Sequence, residues 1–217
     1  MKNKILDNIK TVGFDLDGTL YKSTKEMDLW IRSRLYGVVA EKMGWEVEKA
    51  EEEYEKRLAE VGSNTTTLGE YGLNGKEVFA QLWEEFPLGE FSREDKTLID
   101  GLQKLRKKYP IFLLSNGGEK QILKKLGYLG IDPEWFRPFV ACYAHEGWTK
   151  PNPGGFLHVL EQLELKPEEV LYVGDRVSTD IEGASAVGMR TMMVYGESSK
   201  ADVSVRTIEE GIEMLLA

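Results

Sequence analysis

Val12-Gly13-Phe14-Asp15-Leu16-Asp17-Gly18-Thr19-Leu20 joins an apolar run to a turn and sets two carboxylates where they meet. Strands buried on both faces of a parallel sheet read as near-continuous apolar runs. Val12 to Leu16 reads as such a strand, with Asp15 and Asp17 at its carboxyl end. Open α/β sheets bind their ligands outside that end. Two acids one residue apart raise each other's pKa unless a positive charge is shared between them. A divalent metal is the natural partner, because hard cations take carboxylate and carbonyl oxygens. A calcium loop of the EF-hand type needs D-x-[DN]-x-[DN]-G after a helix; here Gly18 comes two positions early and an apolar run precedes it. A plain Asp17-Gly18 turn is also compatible with this stretch taken alone, since Asp and Gly are strong turn formers.

Three later segments repeat the pattern of an apolar run ending in polar groups. Ile111 to Leu114 ends at Ser115-Asn116-Gly117-Gly118, and Val170 to Val173 ends at Gly174-Asp175, with Asp180 five residues on. Between them, Pro138 to Tyr143 leads through Trp148-Thr149 to Lys150-Pro151. If these strands lie parallel in one sheet, one edge gathers Asp15, Asp17, Asp175, Asp180, Ser115 and Lys150. One metal, one phosphate-like anion and one nucleophile fit that inventory.

The ordered set Asp15-x-Asp17-Gly18-Thr19, Ser115, Lys150-Pro151 and Gly174-Asp175-x-x-x-x-Asp180 resembles the four motifs of the haloacid dehalogenase-like hydrolase superfamily. The likeness runs across nearly the whole chain. It implies an aspartyl-phosphate mechanism, Mg2+ as cofactor, and small phosphate esters as substrates, nucleotides and sugar phosphates among them. The residues suit that chemistry. Asp15 is the candidate covalent nucleophile. Asp17 is the candidate acid and base, swung toward the substrate by the Gly18 turn, with its backbone carbonyl a further metal ligand. Lys150 holds Asp15 ionised and offsets phosphoryl charge. Ser115 and Asn116, at a helix start, are placed to bind phosphate. Asp15, Asp17 and Asp175 form the expected metal site, and Asp180 orients a water or Lys150 from behind it. Two of these assignments have a second reading: Ser115-Asn116 as the cap of the following helix, and Asp180 as the cap of the segment from Ile181.

Composition narrows the class. The chain has 217 residues, more than one average domain and fewer than two full ones. A formal charge of −9 argues against a nucleic-acid backbone as partner. No apolar run reaches the roughly 18–20 residues of a membrane span, and Lys2 and Lys4 lead into no long apolar stretch of signal-peptide type. The lone Cys142 leaves no internal disulfide. A cytoplasmic monomer or homodimer acting on a small molecule is expected.

After Leu20 the strand–helix rhythm stops for about 70 residues of helical texture. The expected fold is therefore an α/β doubly wound parallel sheet, residues 1–21 and 93–217, interrupted by an all-helical insertion at 22–92. Apolar stripes mark its helices around Leu35, Tyr54 and Leu82, while Gly62 to Thr67 and Gly72 to Gly75 read as loops. In the family this chain resembles, such an insertion is a cap that closes on the substrate. Specificity is then expected in Tyr21, Thr65 and Tyr71, where a mobile cap excludes water and selects the leaving group. The same chemistry admits a phosphomutase or phosphotransferase. A dehalogenase fits less well, because family dehalogenases generally lack the acid found here as Asp17. A metal-binding module without turnover is the reading from another class, and the full set of motif acids argues against it.

Overall fold

The structure is a computed structural model that describes residues 6–217; Lys2 and Lys4 lie outside the described residues. The chain divides into two compact units, one running up to Lys22 and resuming over Ser92–Ala217, the other Ser23–Phe91.

The first unit is built on six strands: β1 (Thr11–Phe14), β2 (Ile111–Ser115), β3 (Phe136–Ala141), β4 (Val170–Gly174), β5 (Arg190–Val194) and β6 (Val203–Val205). They lie in the order β3-β2-β1-β4-β5-β6, each pair parallel. The chain winds from β1 outward through β2 and β3, then returns to the other side of β1 for β4 to β6. The reversal falls between β1 and β4, which makes their carboxyl ends the switch point where such sheets open a crevice. β1, β2 and β4 are buried along their whole length, as apolar runs covered on both faces must be. The sheet is the doubly wound one expected from the alternation of strands and helices.

Helices α6 (Lys96–Lys108), α7 (Glu119–Tyr128), α8 (Gly154–Leu163), α9 (Glu182–Ala186) and α10 (Ile208–Leu216) flank the sheet. In α6 the Asp95 side chain accepts from the N–H groups of Thr97 and Leu98, and Leu98, Leu102 and Leu105 form the buried stripe. Such capping and a leucine every three to four residues are what amphipathic helices need. Phe112, Leu114, Phe156, Val159 and Tyr172 share one core with Cys142; each large side chain taken from water contributes roughly 1.5–3 kcal/mol.

Two strand ends differ from the sequence reading. β1 stops at Phe14, although the Asp15 N–H still donates to the Val173 carbonyl at 2.9 Å. β3 begins two residues earlier, at Phe136, and ends before Cys142, where a 3-10 turn takes over. Pro138 sits inside β3 because β3 is an edge strand, where a missing N–H is tolerated.

The second unit contains α1 (Lys25–Met43), α2 (Val47–Val61), α3 (Asn64–Glu70), α4 (Gly75–Glu85) and α5 (Leu88–Phe91). Its core joins Leu35, Val39, Ala50, Tyr54, Leu68 and Leu82. The stretch read as a loop, Gly62 to Thr67, instead starts a helix: Ser63 is the N-cap of α3 and its Oγ accepts from the Thr66 N–H. Threonines are poor helix formers on their own, but Thr67 and Leu68 are buried, and tertiary packing overrides that preference. Among the described residues no helix is long and apolar enough to cross a membrane.

Candidate active site

Lys150 organises the carboxyl edge of β1 and β4. Its buried ammonium lies 2.9 Å from Asp15 Oδ1 and 2.6 Å from Asp180 Oδ1, and donates to the Tyr172 hydroxyl at 2.8 Å. That hydroxyl passes its own hydrogen to the Leu114 carbonyl at 2.7 Å. An ammonium has three N–H donors, and here each has an acceptor. Burial alone would lower the Lys150 pKa, but Asp15 and Asp180 outweigh it and hold the group well above its ordinary value.

Asp180 reaches Lys150 because β4 ends in glycine. A Cβ on Gly174 would overlap the Asp180 side chain. From there Asp180 Oδ2 accepts the Arg176 N–H at 3.0 Å, within the π turn Val177–Ile181. The cap reading of Asp180 therefore fails. The N-cap position of α9 is Ile181, without a side-chain bond, and Asp180 points back at Lys150.

Asp15, Asp175 and Asp180 offer carboxylate oxygens that all lie within 4.8 Å of one another. Gly18 lets the first turn come this close: its φ is +85°, and a Cβ there would run into the Asp175 carboxylate. Thr19 Oγ1 donates to Asp175 Oδ1 at 3.4 Å. Burial pushes Asp15 up to about 7 against the opposing pull of Lys150, and burial likewise pushes Asp175 up to about 6. The cluster holds three acids against one ammonium and offers only oxygen donors. Its chemistry fits a hard divalent cation. Both Asp180 oxygens already accept hydrogen bonds, Oδ1 from Lys150 and Oδ2 from the Arg176 N–H.

Asp17 is placed differently from the other acids. Its carboxylate accepts from the Lys125 ammonium at 2.6 Å and 2.8 Å, one contact to each oxygen, and Tyr21 O–H donates to Oδ1. The Asp17 side chain, expected in the metal site, is thus absent from the acidic cluster. Tyr21, expected to face substrate, is buried with its hydroxyl on Asp17.

Ser115 ends β2 and is buried, its Oγ accepting the Gly117 N–H at 3.2 Å. Asn116 is clamped to the backbone of Lys150, accepting its N–H at 2.7 Å and donating to its carbonyl at 3.1 Å. Its amide thereby fixes the lysine loop. Neither residue caps α7, whose N-cap is Gly118. In the helical unit, Thr65 is exposed in the first turn of α3. Tyr71 stacks on Tyr54, meets the edge of Trp45 and donates to the Glu53 carbonyl at 3.1 Å, so it is part of that unit's packing.

Sequence reading missed Lys125 and Tyr172. Lys125 had a signal: it falls between Ile122 and Leu126 on the buried stripe of α7, where a lysine is out of place. Tyr172 is the one hydroxyl in the apolar run of β4.

A profile of the haloacid dehalogenase-like hydrolase family matches residues 9–188. The chain belongs to that family. It is 30% identical over 205 residues to a glyceraldehyde 3-phosphate phosphatase of Methanopyrus kandleri, across 86% of this chain and 84% of the relative. It is 29% identical over 212 residues to the protein of that name from Pyrococcus furiosus, across 91% and 86%. A haloacid dehalogenase-like phosphatase of Thermococcus onnurineus superposes with a TM-score of 0.70 at 26% identity, over 95% of this chain and 98% of that structure. This haloacid dehalogenase-like hydrolase is an enzyme of the phosphatase branch, a phosphoric monoester hydrolase.

Proposed function

We propose that the enzyme hydrolyses a small phosphorylated metabolite in two displacements through an aspartyl phosphate on Asp15. The observation that carries this reading is the buried Asp15 carboxylate, tied at one oxygen to Lys150 and lying within 4.8 Å of Asp175. A Asp15 oxygen attacks phosphorus as the ester P–O bond breaks, and Asp17 gives its proton to the departing alkoxide. Water then attacks the acyl phosphate while Asp17 takes its proton, releasing phosphate and restoring Asp15. Splitting one displacement into two lowers the barrier to each, and an acid–base group of this kind contributes about 10²–10⁴-fold. Ser115 is the hydroxyl positioned at the end of β2 to hold a phosphoryl oxygen, and Lys150 offsets its charge. Asp15, Asp175 and the Asp17 carbonyl would hold Mg2+, which supplies charge stabilisation to the phosphoryl group.

Glyceraldehyde 3-phosphate is the first substrate to try, because the relatives that bear that name align over most of their length and of this chain. The helical unit interrupts the core directly after the first motif, the position suited to a cap that discriminates among leaving groups. Thr65 is the expected specificity residue left on its exposed surface. The test is phosphate release from glyceraldehyde 3-phosphate beside a panel of sugar phosphates and nucleotides. Turnover should cease with a chelator and return with Mg2+. Full turnover after exhaustive chelation would remove the metal from this account, and no release from any ester would remove the reaction.

A further inference from the structure

A lysine on the apolar stripe of a helix needs a reason, since a buried ammonium is unfavourable unless it is paired. Lys125 lies between Ile122 and Leu126 on α7, buried like them. Its Nζ meets Asp17 Oδ1 at 2.6 Å and Oδ2 at 2.8 Å. Asp17 needs such a partner. It sits in a turn and its side chain is 22% exposed, so nothing about its backbone alone would fix the plane of its carboxylate. The two oxygens are treated unequally: Oδ1 takes both Lys125 and the Tyr21 hydroxyl, whereas Oδ2 takes Lys125.

We propose that Lys125 is the positioning residue for Asp17, holding its carboxylate so that Oδ2 exchanges the proton with the leaving-group oxygen. The inference rests on the two-displacement reading above. As the ester bond breaks, the proton on Oδ2 passes to the departing oxygen, and the carboxylate so formed lies against the Lys125 ammonium, which neutralises the charge. Lys125 touches neither phosphorus nor leaving group. It acts through Asp17, with Tyr21 as the second constraint on the same carboxylate. A residue that steadies a proton donor is felt only by esters whose leaving groups need the proton. That separates it from a residue that merely supports the fold.

The experiment measures kcat/KM for phenyl phosphate, a poor leaving group, and 4-nitrophenyl phosphate, a good one, in the full chain. This constant reports the step up to loss of the leaving group, so the later hydrolysis does not enter. Lys125→Met should lower the phenyl phosphate value by about 10²-fold, the scale of a general acid, and the 4-nitrophenyl value by less than about threefold. Lys125→Arg should recover phenyl phosphate turnover to within about tenfold of wild type. Asp17→Asn should carry the same leaving-group signature, and adding Lys125→Met to it should cost little more, because the two act as one unit. Should Lys125→Met fail to fold, Lys125→Gln gives the same comparison of the two esters, with Lys125→Arg as the near-wild-type control. An equal loss on both esters, or no loss on phenyl phosphate, overturns the assignment. Undiminished turnover by Asp15→Asn would instead overturn the two-displacement reading itself, so the two failures are told apart.

Discussion

Buried Asp15 and half-buried Asp175 hold protons more tightly than carboxylates in water, at about 7 and about 6 against an ordinary 3.8. The sign of the linkage follows. A carboxyl whose folded pKa is raised adds stability below the unfolded value, and that stability is lost as pH climbs through the folded values. Without a cation, this edge of the sheet therefore becomes less stable between about pH 4 and pH 7. A divalent cation must displace the same protons to bind. Mg2+ should accordingly raise the melting temperature clearly at pH 8 and much less at pH 5, as seen by differential scanning fluorimetry. An equal shift at both pH values would place the cation elsewhere. These acids were legible in the sequence because each follows an apolar run, and a strand end at a parallel sheet's carboxyl edge has few uses for a charge. Lys125 was not legible in the same way. Its place on the stripe of Ile122 and Leu126 marks it as turned inward, but only the fold shows that its partner is Asp17. Asn116 was read as an anion ligand from its place beside Ser115; its amide is used to pin the Lys150 loop, a long-range pairing that no local pattern carries.

At the scale of elements, the strands that carry the motifs were readable from their unbroken apolar runs, to within two residues. The helix starting at Asn64 was not. Ser63-Asn64-Thr65-Thr66-Thr67 has the composition of a loop, and its helicity comes from a cap and from partners distant in sequence. Ser63 caps the first turn, Thr67 Oγ1 donates back to the Ser63 carbonyl, and the Tyr54 hydroxyl donates to Asn64 Oδ1 at 2.8 Å. Ser63→Ala should therefore destabilise the protein by about 0.5–2 kcal/mol, the usual worth of an N-cap. Urea denaturation followed by circular dichroism measures it, and a change within error of zero would mean that packing alone holds α3. The same variant should leave kcat for 4-nitrophenyl phosphate unchanged if α3 serves specificity and not the chemistry. Tyr71 illustrates the converse difficulty. An aromatic residue beside a polar stretch reads equally as a substrate contact or as packing, and its stacking on Tyr54 decides for packing.

At the scale of the molecule, strand order does most to place the chemistry. Because β1 and β4 are neighbours and the winding reverses between them, residues about 160 positions apart in sequence, Asp15 and Asp175, reach one edge. β2 lies on the other side of β1 and brings Ser115 to the same edge, and the loop after β3 returns Lys150 beneath it. The order of motifs along the chain implied that convergence. Asp15 and Asp180, the two acids expected beside Lys150, both lie against its ammonium. The central claim is a phosphoryl group carried on Asp15, and trapping it is the most direct test. The enzyme would be mixed with 32P-labelled 4-nitrophenyl phosphate and Mg2+, quenched in acid within the first turnover, and mapped by peptide. Label on Asp15 that is lost on alkaline treatment, and absent together with turnover in Asp15→Asn, is the predicted result; label on another residue, or an Asp15→Asn variant that still turns over like wild type, would contradict it.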